Sequence, residues 1–344
     1  MRLLIGTLLF ALAWSLSVFF LHDQWQDQER QHLAENNVVA ATTYQASVAT
    51  YHLATEILFA EIMQHDQVLD TFAAGVKAVG PERDRRRGAL YRLLAPTYTQ
   101  LRERGIHQLH FHTADGHSFL RFHAPHLCDD PLFEARPTVR LANSERRPVS
   151  GFEAGKVVSG FRYVYPVFRG KEHLGSVETS VTFRSIREAM TSIDPTREYA
   201  LVLRREQVDE AIFKEQRPLY ETAPLHEDFL VEDPRLRLPD STPPPSERVR
   251  QLDRLLREHP RVQAGMRKGE AFTVPLFTAA GDWAVSFVPV QDILGRQAAY
   301  VVAYSGNPFS ATLRRDFYLS LGLTTLFLGA FAWFTWGLLR SLLP

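Results

Sequence analysis

Two stretches of this chain carry no charge, and they stand near its two ends. Leu3–Leu21, "LLIGTLLFALAWSLSVFFL", and Phe317–Leu339, "FYLSLGLTTLFLGAFAWFTWGLL", are apolar throughout. As helices rising roughly 1.5 Å per residue they measure about 28 Å or more, enough to cross a bilayer. Trp14 interrupts the first stretch, and no small-x-small site precedes the polar run at His22, so the pattern favours an uncleaved anchor over a secretory signal. Two spans put both chain ends on one side of the membrane and His22–Asp316 on the other. Arg2 precedes the first span and no Lys or Arg follows it until Arg30, which assigns the ends to the cytoplasm; Arg314 and Arg315 oppose this assignment weakly.

Between the spans the period of the apolar positions changes. From His22 to Ala78 it is helical, with Val38, Ala41, Val48, Tyr51, Ile57, Leu58 and Ile62 recurring and no proline, so one long helix is expected. A second helix follows over Glu82–Arg104, which Pro96 must bend or break. The period then falls to two. Ile106–Thr113 and Ser118–His123 read as strands joined at Asp115-Gly116, a hairpin signal. Pro137 opens a short helix to Arg146, and strands follow at Ser150–Glu153, Val157–Phe168 and Leu174–Phe183. Helices followed by a five-stranded antiparallel meander make an α+β unit. A connecting helix, "RSIREAMTSIDP", leads into a smaller unit on the same plan. It has a strand at Glu198–Leu203, helical segments to His259, and strands at Ala271–Phe277, Trp283–Val290 and Ala298–Tyr304. Leu238–Glu247, "LPDSTPPPSE", is expected as an exposed loop.

Composition narrows the function. The 344 residues carry 39 basic and 39 acidic side chains, so the chain lacks the broad positive potential of a nucleic-acid binder. Its single cysteine, Cys128, excludes an intrachain disulfide and any multi-cysteine metal centre. No P-loop, nucleophile elbow or zincin motif is present, so neither catalysis nor a cofactor is expected.

The chemistry concentrates in "FHTADGHSFLRFHAP", Phe111–Pro125, and its surroundings: six of the thirteen histidines fall between His107 and His126. With Asp115-Gly116 as a two-residue turn, His112 pairs with Phe119, His110 with Arg121, and Gln108 with His123. Leu109, Phe111, Leu120 and Phe122 then form a core face. Gln108, His110, His112, Phe119, Arg121 and His123 form the other. That second face has three readings: a solvated sheet surface, a metal site built from His110, His112 and His123, or the wall of a ligand pocket. Arg162 in "GFRYVYPVF" and Glu178 in "LGSVETSVTF" sit in strands that read as central, where an unpaired charge is expensive. They can pair with each other. Arg162 and Arg121 can instead receive an anion, whose carboxylate fits the planar fork of arginine.

"LHFHTADGHSFLRFHAP", "FEARPTV", "PVSGFEAG", "GFRYVYPVF" and "LGSVETS", spanning Leu109–Ser180, together resemble the double Cache sensor domains of bacterial transmembrane receptors. The match is to the double-sensory type found ahead of histidine kinases, diguanylate cyclases and chemotaxis modules. The resemblance implies an α+β fold with two PAS-like (Cache) units, antiparallel sheets on a long N-terminal helix, and flanking transmembrane helices. It divides the chain into a first span (1–21), a dimer helix (22–78), a membrane-distal Cache unit (79–183), a membrane-proximal one (184–313), and a second span with a short cytoplasmic tail (314–344). It implies a homodimer in the inner membrane with a periplasmic central region, binding a small polar or anionic molecule and signalling to a separate cytoplasmic partner. Arg121 and His123 occupy what resembles the arginine-x-aromatic pair that contacts a ligand carboxylate in amino-acid-sensing relatives. Glu153 and Arg162 look like further pocket positions, with Glu178, His110 and Phe119 beside them. A metal sensor using His110, His112 and His123, or one acting through a protein partner, is the alternative.

Overall fold

The computed structural model describes residues 2–153, 159–211, 214–232 and 242–342. Helix α1 runs unbroken from Arg2 to Gln64, so the apolar span and the long polar helix are one element. The expected helix does not continue to Ala78. His65 takes an extended conformation (φ −84°, ψ 103°), and α2 restarts at Asp66 and runs to Lys77. The break aims a new apolar face, Val68, Phe72 and Ala73, at the core. Helix α3, Gly80–Glu103, carries Pro96 inside it without ending there.

The first sheet comprises β1 (Ile106–Thr113), β2 (Ser118–Arg121), β3 (Val149–Glu153), β4 (Gly160–Arg169) and β5 (Glu172–Thr182). All its pairings are antiparallel, but it is not a meander: the order is β2-β1-β5-β4-β3. β5 therefore lies between β1 and β4, which makes these three the interior strands. One face of the sheet packs on the helices. Leu109, Phe111, Leu120, Phe122, Tyr163, Tyr165 and Val177 join Leu58 and Ile62 of α1, Phe72 of α2, and Leu90 and Leu94 of α3 in one core. Phe59 stacks on Tyr165 with ring centroids 4.7 Å apart. Each such buried side chain contributes roughly 1.5–3 kcal/mol. The opposite face is covered by α4, Pro137–Glu145, whose Ala142 meets Val149 and Val164.

The second sheet has six strands where the periodicity predicts four. After α5 (Phe183–Ile193), β6 (Arg197–Arg204) and α6 (Arg205–Ala211) come β7 (Tyr220–Thr222) and β8 (Phe229–Glu232). Then follow α7 (Glu247–Arg257), α8 (Pro260–Lys268), β9 (Phe272–Thr278), β10 (Gly281–Gln291) and β11 (Gln297–Gly306). The order is β7-β8-β6-β11-β10-β9. Without β7 it repeats the first sheet's order, β8-β6-β11-β10-β9 against β2-β1-β5-β4-β3. The expected strand at Val157 begins at Gly160, residues 157–158 lying outside the described ones. Of the expected loop Leu238–Glu247, residues 238–241 also lie outside them, and α7 starts at Glu247.

The chain forms two compact units. Residues 39–271 with 287–303 hold the first sheet and its helices. Residues up to 38, 272–286 and those from 304 onward form the other, in which α9 (Pro308–Leu342) accompanies the first part of α1. There Trp14 Nε1 donates to Thr325 Oγ1 at 3.0 Å, His32 bonds to Asn307 at 3.0 Å, and Arg314 pairs with Asp282 at 2.7 Å. Both helices are long and apolar enough to cross a membrane, and none of their apolar windows is buried within the protein.

Candidate functional site

The face of the first sheet beneath α4 is polar because the strand period puts it there. β1 sends Leu109 and Phe111 to the core and Gln108, His110 and His112 to the opposite side. In register, His110 stands opposite Glu178, His112 opposite Ser176, Gln108 and Arg162 opposite Ser180, and Glu153 opposite Gly160. Three neighbouring strands and β3 thus present Gln108, His110, His112, Ser176, Glu178, Ser180, Arg162 and Glu153 together.

Arg162 is the hub. Its Nε lies 3.0 Å from Glu153 Oε2, and its Nη1 donates to Glu178 Oε1 and, at 3.1 Å, to Gln108 Oε1. Arg162, Glu178 and Glu153 are 2%, 1% and 5% exposed. Thr138 at the start of α4 donates from its backbone N and Oγ1 to Glu153, at 3.4 and 3.0 Å. Arg136, just before that helix, brings its Nη1 within 3.8 Å of Glu153 Oε2. Two guanidiniums therefore balance two carboxylates, and three of these four groups are almost fully buried. Burial pushes Glu178 upward, but Arg162 and His112 outweigh it and hold the carboxyl well below its ordinary range. Glu153 is raised, burial dominating over Arg162 and Arg136. Burial, reinforced by the like charge of Arg162, brings Arg136 down to about 10. Its Nη1 finds no hydrogen-bond acceptor among the described residues.

The two histidines sit in this enclosure, where burial disfavours their charged forms. Burial and the neighbouring His112 hold His110 well below its ordinary value, and burial lowers His112. His110 Nε2 bonds to Ser118 Oγ at 2.9 Å, and His112 Nδ1 to Ser176 Oγ at 2.9 Å. Asn143 of α4 also donates to Ser176 Oγ, at 2.9 Å. A cavity of about 220 Å³ opens beside Glu153, lined among others by Ala135, Pro137, Ile293 and Arg296.

The residues expected from the hairpin separate. His110 and His112 join Arg162, Glu178 and Glu153; Phe119 turns away, while Arg121 and His123 bond elsewhere but stay near enough to act electrostatically on His110. The two-residue turn is not formed: a bulge between Phe111 and His112 pairs His112 with Ser118 in place of Phe119. Phe119 consequently turns to the core, where its ring lies 5.2 Å from that of Phe72 and under Arg87. Arg121 already holds a carboxylate, forked on Asp130 at 2.6 and 2.7 Å, and donates to Leu127 O at 2.7 Å. His123, past the end of β2, pairs its ring with that of His107 at 5.9 Å. Among the described residues, the group close enough to share an ion is His110, His112 and Glu178, so Glu178 stands where His123 was expected. Arg136, Thr138 and Asn143 were not anticipated. Their signal was the helix start "ARPT", which sets an arginine immediately before the helix that caps the polar face.

No curated protein matches the chain in sequence. Among solved structures, it is similar to a domain of a sensory box/GGDEF family protein from Vibrio parahaemolyticus (11% identity, 81% of this chain and 97% of that one, TM-score 0.43). It is also similar to the ligand-binding domain of a Campylobacter jejuni chemoreceptor in complex with L-valine (7% identity, 85% and 98%, TM-score 0.45). A third is the sensor domain of the V. cholerae histidine kinase DctB (11% identity, 77% and 96%, TM-score 0.38). The family described as the double sensory domain of two-component sensor kinases matches residues 35–208, about half of the chain. This chain belongs to that double Cache sensor family.

Proposed function

We propose that the chain is the extracytoplasmic ligand-sensing module of a bacterial transmembrane signalling receptor. It is held in the inner membrane by α1 and α9 and binds a small polar or anionic molecule on the polar face beneath α4. Residues 79–183 bind the ligand, and 184–313 with α9 pass the change to a cytoplasmic signalling partner. The working form is a homodimer through α1, whose Leu53 and Ile57 are exposed apolar side chains on a polar helix. The residues carry a binding role, and no catalytic step is assigned to them.

One observation supports this reading above others: Arg136 keeps a buried guanidinium nitrogen without an acceptor, 3.8 Å from Glu153 at the edge of the charged network. An unsatisfied buried donor destabilises the unliganded state by about 1–3 kcal/mol, which a ligand oxygen would relieve. A carboxylate or hydroxyl on a small molecule supplies that oxygen, and arginine's fork gives it direction. Binding there would draw Arg136 and α4 toward the ligand and shift the population of conformers available to the chain.

The test is a thermal-shift screen of the full chain in detergent against organic acids, amino acids and amines. A carboxylate is expected to raise the melting temperature in wild type and to lose that effect in Arg136→Ala. If no compound stabilises the protein, or stabilisation survives Arg136→Ala unchanged, the reading is wrong.

A further inference from the structure

Resting on the reading of this face as the ligand site, we infer that His110, His112 and Glu178 bind a first-row divalent cation, Zn²⁺ or Ni²⁺ in preference to Mg²⁺ or Ca²⁺. One ligand atom from each of the three lies within 4.8 Å of the others, and all three residues are buried. His112 Nε2 is 3.5 Å, and His110 Nδ1 4.0 Å, from the same carboxylate oxygen, Glu178 Oε2. Four ligands at about 2.0–2.2 Å around zinc stand about 3.3–3.5 Å from one another at tetrahedral angles. The first separation already matches, the second needs an approach of about half an ångström, and the third, between the two imidazole nitrogens, is at most 4.8 Å.

The outer nitrogens make the arrangement specific. Each imidazole spends its far nitrogen on a serine hydroxyl, His110 on Ser118 and His112 on Ser176, and turns the other toward Glu178. In the bound form those outer N–H groups donate to the serine oxygens, leaving both inner nitrogens with free lone pairs. Such outer-shell bonds orient the ligating histidines of metal sites. His112 Nε2 is fully buried, and its facing group is Glu178 Oε2 at a long 3.5 Å, so a metal between them gives both atoms a closer partner.

Two imidazoles and one carboxylate favour zinc, nickel or copper over the hard cations, which prefer all-oxygen cages. Arg162 is the opposing influence, since it is a positive charge on the same carboxylate. It grips Glu178 through Oε1 and Glu153 through Nε, however, so Oε2 remains available without breaking either contact. Three protein ligands leave a fourth position open, and the anionic group of a small molecule can fill it while offsetting the added charge.

The experiment uses the full chain, stripped with chelator, and titrates Zn²⁺, Ni²⁺, Co²⁺, Mg²⁺ and Ca²⁺ by calorimetry with no organic ligand present. One equivalent of Zn²⁺ should bind, with Co²⁺ giving the visible bands of a low-coordinate nitrogen and oxygen site. His112→Gln, His110→Gln and Glu178→Gln should each weaken Zn²⁺ by more than about tenfold, Ser176→Ala by about tenfold, and His123→Ala not at all. Zn²⁺ affinity unchanged in His112→Gln and His110→Gln, or a Co²⁺ spectrum of an all-oxygen octahedral site, overturns the assignment. The wild-type Co²⁺ spectrum decides the matter even if a variant fails to fold. Absence of metal binding together with a carboxylate effect that needs Arg136 would remove the cation and leave the sensor reading intact.

Discussion

Arg162 on β4 and Glu178 on β5 meet across adjacent interior strands with almost no solvent contact, 2% and 1% exposed, and Glu153 on β3 completes the pair from the other side. The strands on which they lie therefore cannot be separated energetically from the charges they carry. A buried ion pair is a weak source of net stability, because desolvation offsets most of its attraction; breaking one partner is a different matter.

Arg162→Met leaves two buried carboxylates with Arg136 as their one remaining guanidinium and should destabilise the protein by about 3–5 kcal/mol. Arg162→Met with Glu178→Met should recover part of that loss, since one of the stranded charges is then gone. Denaturant melts of wild type, Arg162→Met, Glu178→Met and the double variant measure the coupling. Additive losses would mean that the two side chains do not depend on each other.

Acid should weaken the fold through the histidines. His110 and His112 have folded values held below the ordinary one, while in the unfolded chain they titrate near about 6.5. For groups depressed on folding, the stabilisation is present above the unfolded value and is lost as pH falls through the folded one. Glu178 acts in the same sense at lower pH; Glu153, raised by burial, opposes it. The melting temperature should be lower at pH 5 than at pH 7.5, with a shallower dependence in His110→Gln/His112→Gln. A pH dependence unchanged in His110→Gln/His112→Gln would show that the imidazoles do not carry the effect.

Gly175 admits no other residue. It lies at φ +146°, opposite Thr113, and an added Cβ would come within 1.9 Å of the His112 carbonyl oxygen. Gly175→Ala must push β1 and β5 apart, an overpacking effect of at least about 1–3 kcal/mol. It should also move His112 away from Ser176. Urea melts and, for the proposed cation, zinc affinity report the two effects; a variant unchanged in both would mean that the strands tolerate the separation.

Cys128, the single thiol and partly exposed, reports the side of the membrane. A membrane-impermeant maleimide should label it in intact spheroplasts, at mildly alkaline pH because burial raises the thiol's pKa. Labelling that requires lysis would put the sheet in the cytoplasm.

The elements that could be read from the sequence are those decided by local periodicity. Alternation put His110 and His112 on one face of "IHQLHFHT" and, separately, Ser176 and Glu178 on one face of "LGSVETSVT"; the pairing of these two strands, which local periodicity does not give, brings the two sets together. What could not be read depends on distant packing. Phe119 is drawn to the core by Phe72 and by room at Gly75, where a Cβ would lie 2.5 Å from its ring, and the hairpin yields a bulge to allow it. No proline or glycine marks the break at His65, and β7 and β8 are three and four residues long, too short to show a period. Asp130 takes the fork of Arg121 from across a loop, where spacing alone says nothing of contact.

The strand order has a consequence for biogenesis. β1 at Ile106–Thr113 finds its inner neighbour only at Glu172–Thr182, so a ribosome must deliver some sixty further residues before the hairpin β1–β2 gains its second partner. Pairing across such separations is slow, and exposed strand edges invite association in the meantime. During that interval the nascent chain holds four histidines and an aromatic hairpin beside an open edge, which makes the stretch from Ile106 to Arg121 the segment on which a holdase chaperone would be expected to act.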